Sequence, residues 1–267
     1  MVRSLYSAAS GMMAQQTNVD VIANNLANVN TIGYKSQSAE FKSLLYQDLQ
    51  AKTTSANGEN KPVSGLGVRP AAIVSSFTQG ALLESSGAFD YAIEGEGFFM
   101  VRQNDGTIGY TRNGNFFLSV DTDGTVLCTA EGYPVLSSEG QPIVLDPQYQ
   151  STKITVDGDG NICYPDESNN AQPIGIKIGL YQFPNPSGLT KVGNSYLAES
   201  DASGVAINEE DGVVSKSKLK QGYLESSNVN VATEMVNLIT AQRAYELCSK
   251  AITTSDTMME QANNLKR

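Results

Sequence analysis

The sequence predicts an α+β protein in which long N- and C-terminal heptad helices pair as a coaxial core, with an all-β central domain inserted between them. Three observations predict this fold class. Apolar or small residues recur every seven residues at both ends of the chain, polarity alternates between frequent turn dipeptides in the middle, and acidic charge is concentrated in that middle part. Seven-residue spacing is typical of helices that meet along a narrow seam, whereas alternation is typical of strands.

The N-terminal helix of the helical core is assigned to residues 1–34. We expect it to run from about Ser4 to Asn30, with Gly33 placed to close it, because glycine readily adopts the left-handed conformation that ends helices. Its repeat and the intermediate positions are formed by Leu5, Met12, Val19 and Leu26, and by Ala8, Gln15, Ile22 and Val29.

Residues 35–67 are predicted to form a connecting arm followed by a flexible segment. The first part holds an apolar cluster, which fits either a short helix or an extended arm. The second part, from residue 52, is rich in glycine, serine, threonine and asparagine and has almost no core-forming side chains. That composition is typical of a linker or a long loop.

Residues 68–223 are predicted to form a β-rich outer domain. Turn dipeptides occur at Asp105-Gly106, Asn113-Gly114 and Asp123-Gly124, a spacing that is typical of an all-β domain. Asn113-Gly114 is flanked by short runs of aromatic and β-branched residues. Because Asn-Gly favours the tight turn of a hairpin, we expect a β-hairpin at this position.

The C-terminal helix is assigned to residues 224–267, and Ser227 or Asn228 is expected to cap its first turn. Its seven-residue repeat and intermediate positions are Val231, Leu238, Tyr245, Ile252 and Met259, and Ala241, Cys248, Ser255 and Ala262. A pair of helices shares one seam and leaves its other faces in water. The periodicity is therefore consistent either with a polymer, in which other copies supply the missing neighbours, or with a hairpin that caps a globular domain.

Composition excludes several classes of function. The chain has no histidine, which removes the common nucleophilic triads and most catalytic zinc sites. Its three cysteines are widely spaced, and its Asp-Gly turns lack the glycine and glutamate that a calcium loop needs. We therefore predict that it is not an enzyme and that it has no catalytic residue, metal, cofactor or small-molecule substrate.

Charge is unevenly distributed along the chain. The net charge is −10, and the middle part, residues 51–221, holds eleven basic and twenty acidic side chains. Phosphate contacts need lysine and arginine, so nucleic acid is not expected as a partner. The ends are almost neutral, in keeping with a role in self-association. No run of eighteen apolar residues is present, and we expect the N-terminus to be retained as structure rather than cleaved as a leader.

Four motifs carry a resemblance to a known family. Residues 17–35 read TNVDVIANNLANVNTIGYK, and residues 222–231 read GYLESSNVNV, followed by MVN at 235–237 and QRAYE at 242–246. In the middle, GEGFF stands at 95–99 and YTRNGNF at 110–116. The chain resembles the bacterial flagellar rod and hook (axial) protein family along its whole length, and within that family the distal rod members.

The resemblance implies a structural protein of the flagellar basal body, exported without a cleaved signal peptide through the flagellar type III apparatus. Subunits of this family polymerise into a hollow helical shaft, with the paired terminal helices at the inner wall and the acidic β body outside. The implied partners are further copies of the chain, proximal rod proteins, the hook protein and, in a Gram-negative envelope, the P and L rings. The shaft would cross the periplasm or cell wall and carry torque from motor to hook.

We expect the polymer interface to be formed by one face of each terminal helix. The predicted interface residues are Leu5, Met12, Val19, Ile22, Asn25, Leu26 and Val29 in the first helix, and Val231, Met235, Leu238, Tyr245, Ile252 and Met259 in the second. The alternative from another class is a secreted β-domain adhesin or glycan-binding protein that oligomerises through its terminal helices.

Overall fold

The computed structural model describes residues 2–48, 63–121, 124–146, 148–150, 153–166, 170–193, 195–212 and 214–265. The chain forms two compact units. The helical unit comprises Met1–Ala27, Gln37–Ser75 and Asn230–Arg267, and the β unit comprises Asn28–Ser36 and Ser76–Val229. Two long helices and a β-rich middle agree with the predicted α+β class. Most of the predicted flexible segment, residues 52–67, lies outside the described residues.

Within its described residues, the helical unit contains both helices and four strands: α1 (Val2–Ala27), β1 (Gln37–Ser43), β2 (Tyr46–Asp48), β3 (Val63–Gly65), β4 (Val68–Ser75) and α2 (Val231–Asn264). The arm after α1 is therefore extended, one of the two forms that the sequence allowed. β1 pairs antiparallel with β4, and β2 pairs antiparallel with β3. We predicted that the β domain begins at residue 68, but residues 68–75 belong to the helical unit because β4 pairs with β1.

The end of α1 and the start of α2 differ from the positions expected from the sequence. α1 ends at Ala27, three residues before Asn30. Gly33 has a positive φ of 69°, but it lies in the β unit, where a Cβ atom would stand 2.7 Å from the backbone nitrogen of Asn113. The cap of α2 is Asn230, whose side chain accepts a hydrogen bond from the Thr233 amide at 3.2 Å. The prediction that Ser227 or Asn228 caps this helix is wrong.

The β unit contains the remaining strands, which are all short. They are β5 (Leu82–Glu84), β6 (Tyr91–Glu94), β7 (Phe98–Arg102), β8 (Ile108–Thr111), β9 (Phe116–Asp121), β10 (Gly124–Thr129), β11 (Val144–Leu145), β12 (Thr155–Val156), β13 (Asn161–Pro165), β14 (Ala171–Lys177), β15 (Leu180–Gln182), β16 (Thr190–Gly193), β17 (Tyr196–Ala198), β18 (Ile207–Asn208), β19 (Lys218–Gln221) and β20 (Tyr223–Glu225). Two 3₁₀ turns, Pro186–Gly188 and Glu209–Asp211, complete the described elements.

These strands form small antiparallel sheets around two apolar clusters. The largest sheet has the order β16-β17-β8-β7-β15-β18, and two three-stranded sheets have the orders β11-β10-β9 and β12-β13-β14. β6 pairs with β19, and β5 pairs with β20. The main cluster includes Phe99, Val101, Val135 and Ile143, all without measurable exposure. The second cluster is rich in aromatic rings, including Phe98, Tyr110 and Phe183.

The predicted hairpin at Asn113-Gly114 is wrong. β8, before it, pairs with β7 and β17, whereas β9, after it, pairs with β10. The dipeptide therefore carries the chain from one sheet to another. The physical reason is that neither Asn113 nor Gly114 has the positive φ that the tight hairpin turn requires. Glycine is needed here for a different reason, because a Cβ atom at Gly114 would lie 1.8 Å from the Tyr91 carbonyl oxygen. The β7–β8 hairpin forms instead around Asp105-Gly106, where Gly106 has a positive φ of 81°.

Gly114→Ala is expected to destabilise the β unit, since the added methyl group collides with the Tyr91 backbone rather than with a side chain that can move. Overpacking of this kind costs about 1–3 kcal/mol, and the rigid neighbour favours the upper end. Chemical denaturation measures the change in the free energy of unfolding. Gly158→Ala is the matched control, because no atom lies within 4 Å of its Cβ position. An equal loss in both variants would contradict this explanation.

Candidate functional site

The two helices of the helical unit contact each other and run in opposite directions. Gly11, early in α1, faces Cys248 in the second half of α2, where a Cβ atom on the glycine would stand 3.1 Å from the cysteine sulfur. Asn25, late in α1, donates a hydrogen bond to the Glu234 carboxylate at 3.3 Å near the start of α2. Small residues at the contact, with Ala14 and Ala241 both buried, allow the helices to lie close together.

The predicted interface residues fall into three groups by exposure. Ile22 and Asn25 are buried within a single chain, with exposed fractions of 5% and 1%. Exposed residues are Val231, Met235 and Tyr245. The half-buried residues are Leu5, Met12, Val19, Leu26, Val29, Leu238, Ile252 and Met259. All belong to the helical unit except Val29, which belongs to the β unit. Residues of the last two groups have surface left for a neighbouring chain.

The buried face of α1 is wider than the predicted repeat. Val21 is buried beside the expected Ile22, and Ala14 and Asn25 are buried one position before the expected Gln15 and Leu26. The width arises because α1 packs against β1 and β4 as well as against α2. A helix with several neighbours buries a wide stripe rather than a narrow seam. The heptad pattern alone could not reveal these additional neighbours.

Asn25 joins α1 to the first strand. Its Oδ1 accepts a hydrogen bond from the Gln37 amide at 2.9 Å, and its Nδ2 donates to the Gln37 carbonyl at 2.8 Å. The asparagine side chain thus satisfies both backbone groups of the first residue of β1. This is the role of a buried structural amide within one chain, and the predicted contact of Asn25 with other subunits stays a prediction.

Asn25→Ala is expected to weaken any assembly that needs an ordered helical unit. Both backbone groups of Gln37 and the Glu234 carboxylate lose a partner, and each unsatisfied buried group costs about 1–3 kcal/mol. We expect the concentration of free subunit at equilibrium with polymer to rise about 10-fold or more. Sedimentation measures it, and Asn237→Ala, an exposed asparagine on α2, is the matched control. The proposed role fails if both variants assemble like the unmodified chain.

A second apolar stripe on α2 was not predicted. Val236, Leu247 and Met258 are spaced eleven residues apart, which is about three helical turns, so they lie on one face. Ile239 lies close to the same face, and Leu265, the cap residue directly after α2, continues it. The exposed fractions of these five side chains range from 54% to 88%. The seven-residue repeat does not include this stripe, because the residues of the stripe are spaced eleven positions apart.

On α1, the aromatic ring of Tyr6 and the thioether of Met13 are similarly exposed, at 69% and 68%, and lie seven residues apart. Large apolar side chains in such numbers are uncommon on helices of monomeric proteins and mark surfaces that contact other molecules. The candidate functional site is therefore an assembly surface, formed by the exposed apolar stripe of α2 and by Tyr6 and Met13 of α1.

A buried charged cluster lies in the β unit, where the chain enters and leaves it. Glu225, whose side chain has no exposed surface, pairs with Lys35 at 2.6 Å and with Arg112 at 3.2 Å. Lys35 Nζ also donates to the Thr78 carbonyl at 2.8 Å, and Arg112 Nη2 donates to the Gly95 carbonyl at 2.7 Å. We call Lys35, Arg112 and Glu225 the junction cluster.

The electrostatics of the junction cluster follow from its burial. Burial lowers the pKa of Lys35, and the Glu225 carboxylate opposes that shift. Burial also lowers the pKa of Arg112, again opposed by Glu225 and, with smaller effects, by Glu209 and Glu96. The carboxylate is thus the main group that keeps two cations charged away from water. Among the described buried side chains, Arg112 Nε lacks a hydrogen-bond partner.

Asn228 makes a second polar connection beside the junction cluster. Its Oδ1 accepts from the Ser36 amide at 2.7 Å, and its Nδ2 donates to the carbonyls of Ser76 at 2.9 Å and Thr78 at 3.1 Å. The side chain therefore connects the segments before and after the strands of the β unit. The sequence predicted that Ser227 or Asn228 caps a helix, and it did not predict that the Asn228 side chain connects the two segments.

The described residues contain no group of three side chains arranged to hold a metal ion. Cys128, Cys163 and Cys248 are free cysteines; the first two are buried and the third is half-buried. Within the part of the chain that the structure describes, no helix is long and apolar enough to span a membrane. The Asp157-Gly158 dipeptide forms part of the turn between β12 and β13.

Exposed apolar helices at both ends of a chain, with a folded β unit between them, define a class of self-assembling structural protein. Three family models match the chain. "Flagella basal body rod protein" matches residues 5–35, "Flagellar hook protein FlgE/F/G D1 domain" matches 92–164, and "Flagellar basal body rod FlgEFG protein C-terminal" matches 220–265.

Curated relatives match along the whole chain. The flagellar basal-body rod protein FlgG of Borreliella burgdorferi is 42% identical and that of Bacillus subtilis 39%, and in both comparisons the match covers 100% of each chain. A flagellar basal-body rod protein FlgF, from Mesorhizobium japonicum, is 32% identical over 91% of this chain and 89% of its own. The chain belongs to the flagellar basal-body rod protein family. The predicted resemblance is confirmed.

Proposed function

We propose that the chain is a structural subunit of the distal rod, which polymerises into a hollow helical shaft that carries torque from the motor to the hook. The observation that carries the proposal is the exposed apolar stripe of α2, because burial in a polymer removes this surface from water. Fully burying one leucine or methionine side chain is favourable by about 1.5–3 kcal/mol. Five such side chains per subunit make a substantial contribution to assembly.

In the proposed shaft, the terminal helices form a coaxial core, and neighbouring copies of the chain cover the stripe. Subunits related by a screw operation repeat the same head-to-tail contact without closing into a ring, so they form a filament. The half-buried seam residues, such as Leu238 and Ile252, would complete the polymer interface together with Met12, Val19 and Leu26.

The family supports a location in the flagellar basal body. We propose that the shaft crosses the periplasm or cell wall between proximal rod proteins and the hook protein, within the P and L rings where the envelope is Gram-negative. We further propose export through the flagellar type III apparatus without a cleaved signal peptide. The role is structural and not enzymatic, and it requires no nucleic acid, cofactor or small-molecule substrate.

The alternative, a secreted adhesin or glycan-binding protein, is not supported by the relatives. An adhesin needs a ligand site on the β unit, whereas the feature that needs a partner here is on the helices. Negative-stain images of the concentrated, purified chain test the proposal: straight rods are expected. Globular particles only, at every concentration, would contradict it.

Both ends of the chain are expected to be unordered in the free subunit and helical in the polymer. The reason is that α1 and α2 leave large apolar side chains in water, which favours folding upon association. Hydrogen exchange on dilute subunit is expected to show little protection of residues 5–29 and 231–262. Exchange on the polymer should show strong protection of the same residues. Strong protection in the dilute subunit would disprove this coupling.

A further inference from the structure

The two chain segments that enter and leave the β unit are held to each other through a few hydrogen bonds. The Gly33 amide donates to the Glu225 carbonyl at 2.8 Å, and the Asn228 amide donates to the Tyr34 carbonyl at 3.4 Å. The Ser36 amide donates to the Asn228 side chain at 2.7 Å. The amides of Gly33 and Ser36 therefore depend directly on residues close to the C-terminal end of the β unit.

The carboxylate of Glu225 compensates the charge of two cations. Its Oε1 accepts from Lys35 at 2.6 Å and from the Gly80 amide at 2.9 Å, and its Oε2 accepts from Arg112 at 3.2 Å. The side chains of Lys35 and Arg112 are only 5% and 2% exposed. If residues 28–36 docked on the β unit while Glu225 was absent, the side chains of Lys35 and Arg112 would both be buried with no carboxylate paired to them. Burying an unpaired charge is strongly unfavourable.

We infer that Glu225 makes the ordering of residues 28–36 conditional on the docking of residues 222–229. While Glu225 is not docked, Lys35 prevents residues 28–36 from docking. A second cation buried beside Arg112 is tolerated only when the Glu225 carboxylate is in place. The strands just before Arg112, β7 and β8, form without this step, since they pair with each other through their own backbone groups. The junction cluster is thus a device that couples the two ends of the chain across 190 positions of sequence.

A consequence follows for assembly, and it rests on the proposed function. In a chain whose residues 222–229 have not docked, residues 28–36 cannot become ordered. Such a chain would be excluded from a polymer that needs both terminal helices. The junction cluster therefore restricts assembly to subunits in which both segments are docked. The coupling itself is measurable on the free subunit, so its failure is distinguishable from a failure of the rod proposal.

The test is hydrogen exchange, followed residue by residue by NMR, on the full-length free subunit and three variants. With Lys35 and Arg112 charged, the cluster has a net charge of +1, which becomes +2 in Glu225→Gln, 0 in Lys35→Met and +1 in the double variant. In Glu225→Gln we expect protection of the Gly33 and Ser36 amides to fall about 100-fold or more. In Lys35→Met we expect a loss of about 10-fold or less, because the Arg112–Glu225 pair remains.

The double variant Lys35→Met/Glu225→Gln separates charge from packing. If charge imbalance is the cause, its Gly33 and Ser36 amides should be protected at least about 10-fold better than in Glu225→Gln alone. Glu210→Gln is the matched control, because it removes the carboxylate of a partly exposed ion pair with Lys177 in the same unit. A surface pair contributes little, so less than about a threefold change is expected.

Three results would overturn the inference. The first is full protection of Gly33 and Ser36 in Glu225→Gln, and the second is a loss in Lys35→Met as large as in Glu225→Gln. The third applies if Glu225→Gln loses protection throughout, including the amides of β7, and it is a double variant that does not recover that protection. Recovery in the double variant supports the charge argument.

Discussion

Replacing Leu247 with glutamate is expected to abolish assembly while leaving the β unit folded. Leu247 lies in the middle of the exposed stripe of α2 and is 68% exposed, so the change meets little of its own chain. In the polymer the leucine would be buried, and its replacement by an unpaired carboxylate costs several kcal/mol in addition to the lost apolar burial. The loss recurs in every subunit.

The effect of Leu247→Glu is measured by sedimentation and by negative-stain images over a range of concentrations. We expect the concentration needed for rods to rise more than about 100-fold. Gln242→Glu is the matched control, because it adds the same charge to the same helix on a face about 140° away. Rods from Leu247→Glu at the normal concentration would show that the stripe is not a contact between subunits.

Truncating apolar residues in the helical unit and in the β unit is expected to give opposite phenotypes. Ile252→Ala and Leu26→Ala remove half-buried side chains from the helical unit, whereas Ile178→Ala removes a side chain that is buried in the β unit. Each truncation of a core residue costs about 2–5 kcal/mol. The first two should block assembly and motility with an unchanged unfolding transition of the β unit. The third should lower the stability of that unit.

Thermal unfolding of the free subunit and swimming of complemented cells provide the two readouts. If the Leu26→Ala cells swim normally, the assignment of this residue to the seam is wrong. If Ile252→Ala lowers the unfolding transition of the β unit as much as Ile178→Ala, the division of the chain into two separately stabilised units fails. The pair of readouts therefore tests both halves of the fold.

The sequence predicted the helices well because their signals are local. The seven-residue spacing identified both helices and placed Leu238, Ile252 and Met259 on the partly buried side of α2. The β character of the middle was also predictable from alternation and turns. Charge separation along the chain added an independent indication that the ends and the middle have different surroundings.

Other features could not be predicted because they depend on residues that are distant in sequence. Gly114 lies against the Tyr91 carbonyl oxygen, a close approach that no local rule contains. The pairing of Asn25 with the backbone of Gln37 depends on β1 packing against α1, which the spacing of residues within the helix does not reveal. The junction cluster joins residues 35, 112 and 225, and its members look like ordinary surface charges when read one at a time.

We propose that the terminal helices of this chain are the contacts of a polymer. Electron cryomicroscopy of rods assembled from the purified chain tests this proposal. The expected map is a hollow tube in which Val236, Leu247 and Met258 of each subunit are buried against helices of neighbouring copies. A map in which these side chains face water, with subunits joined only through their β units, would contradict the claim.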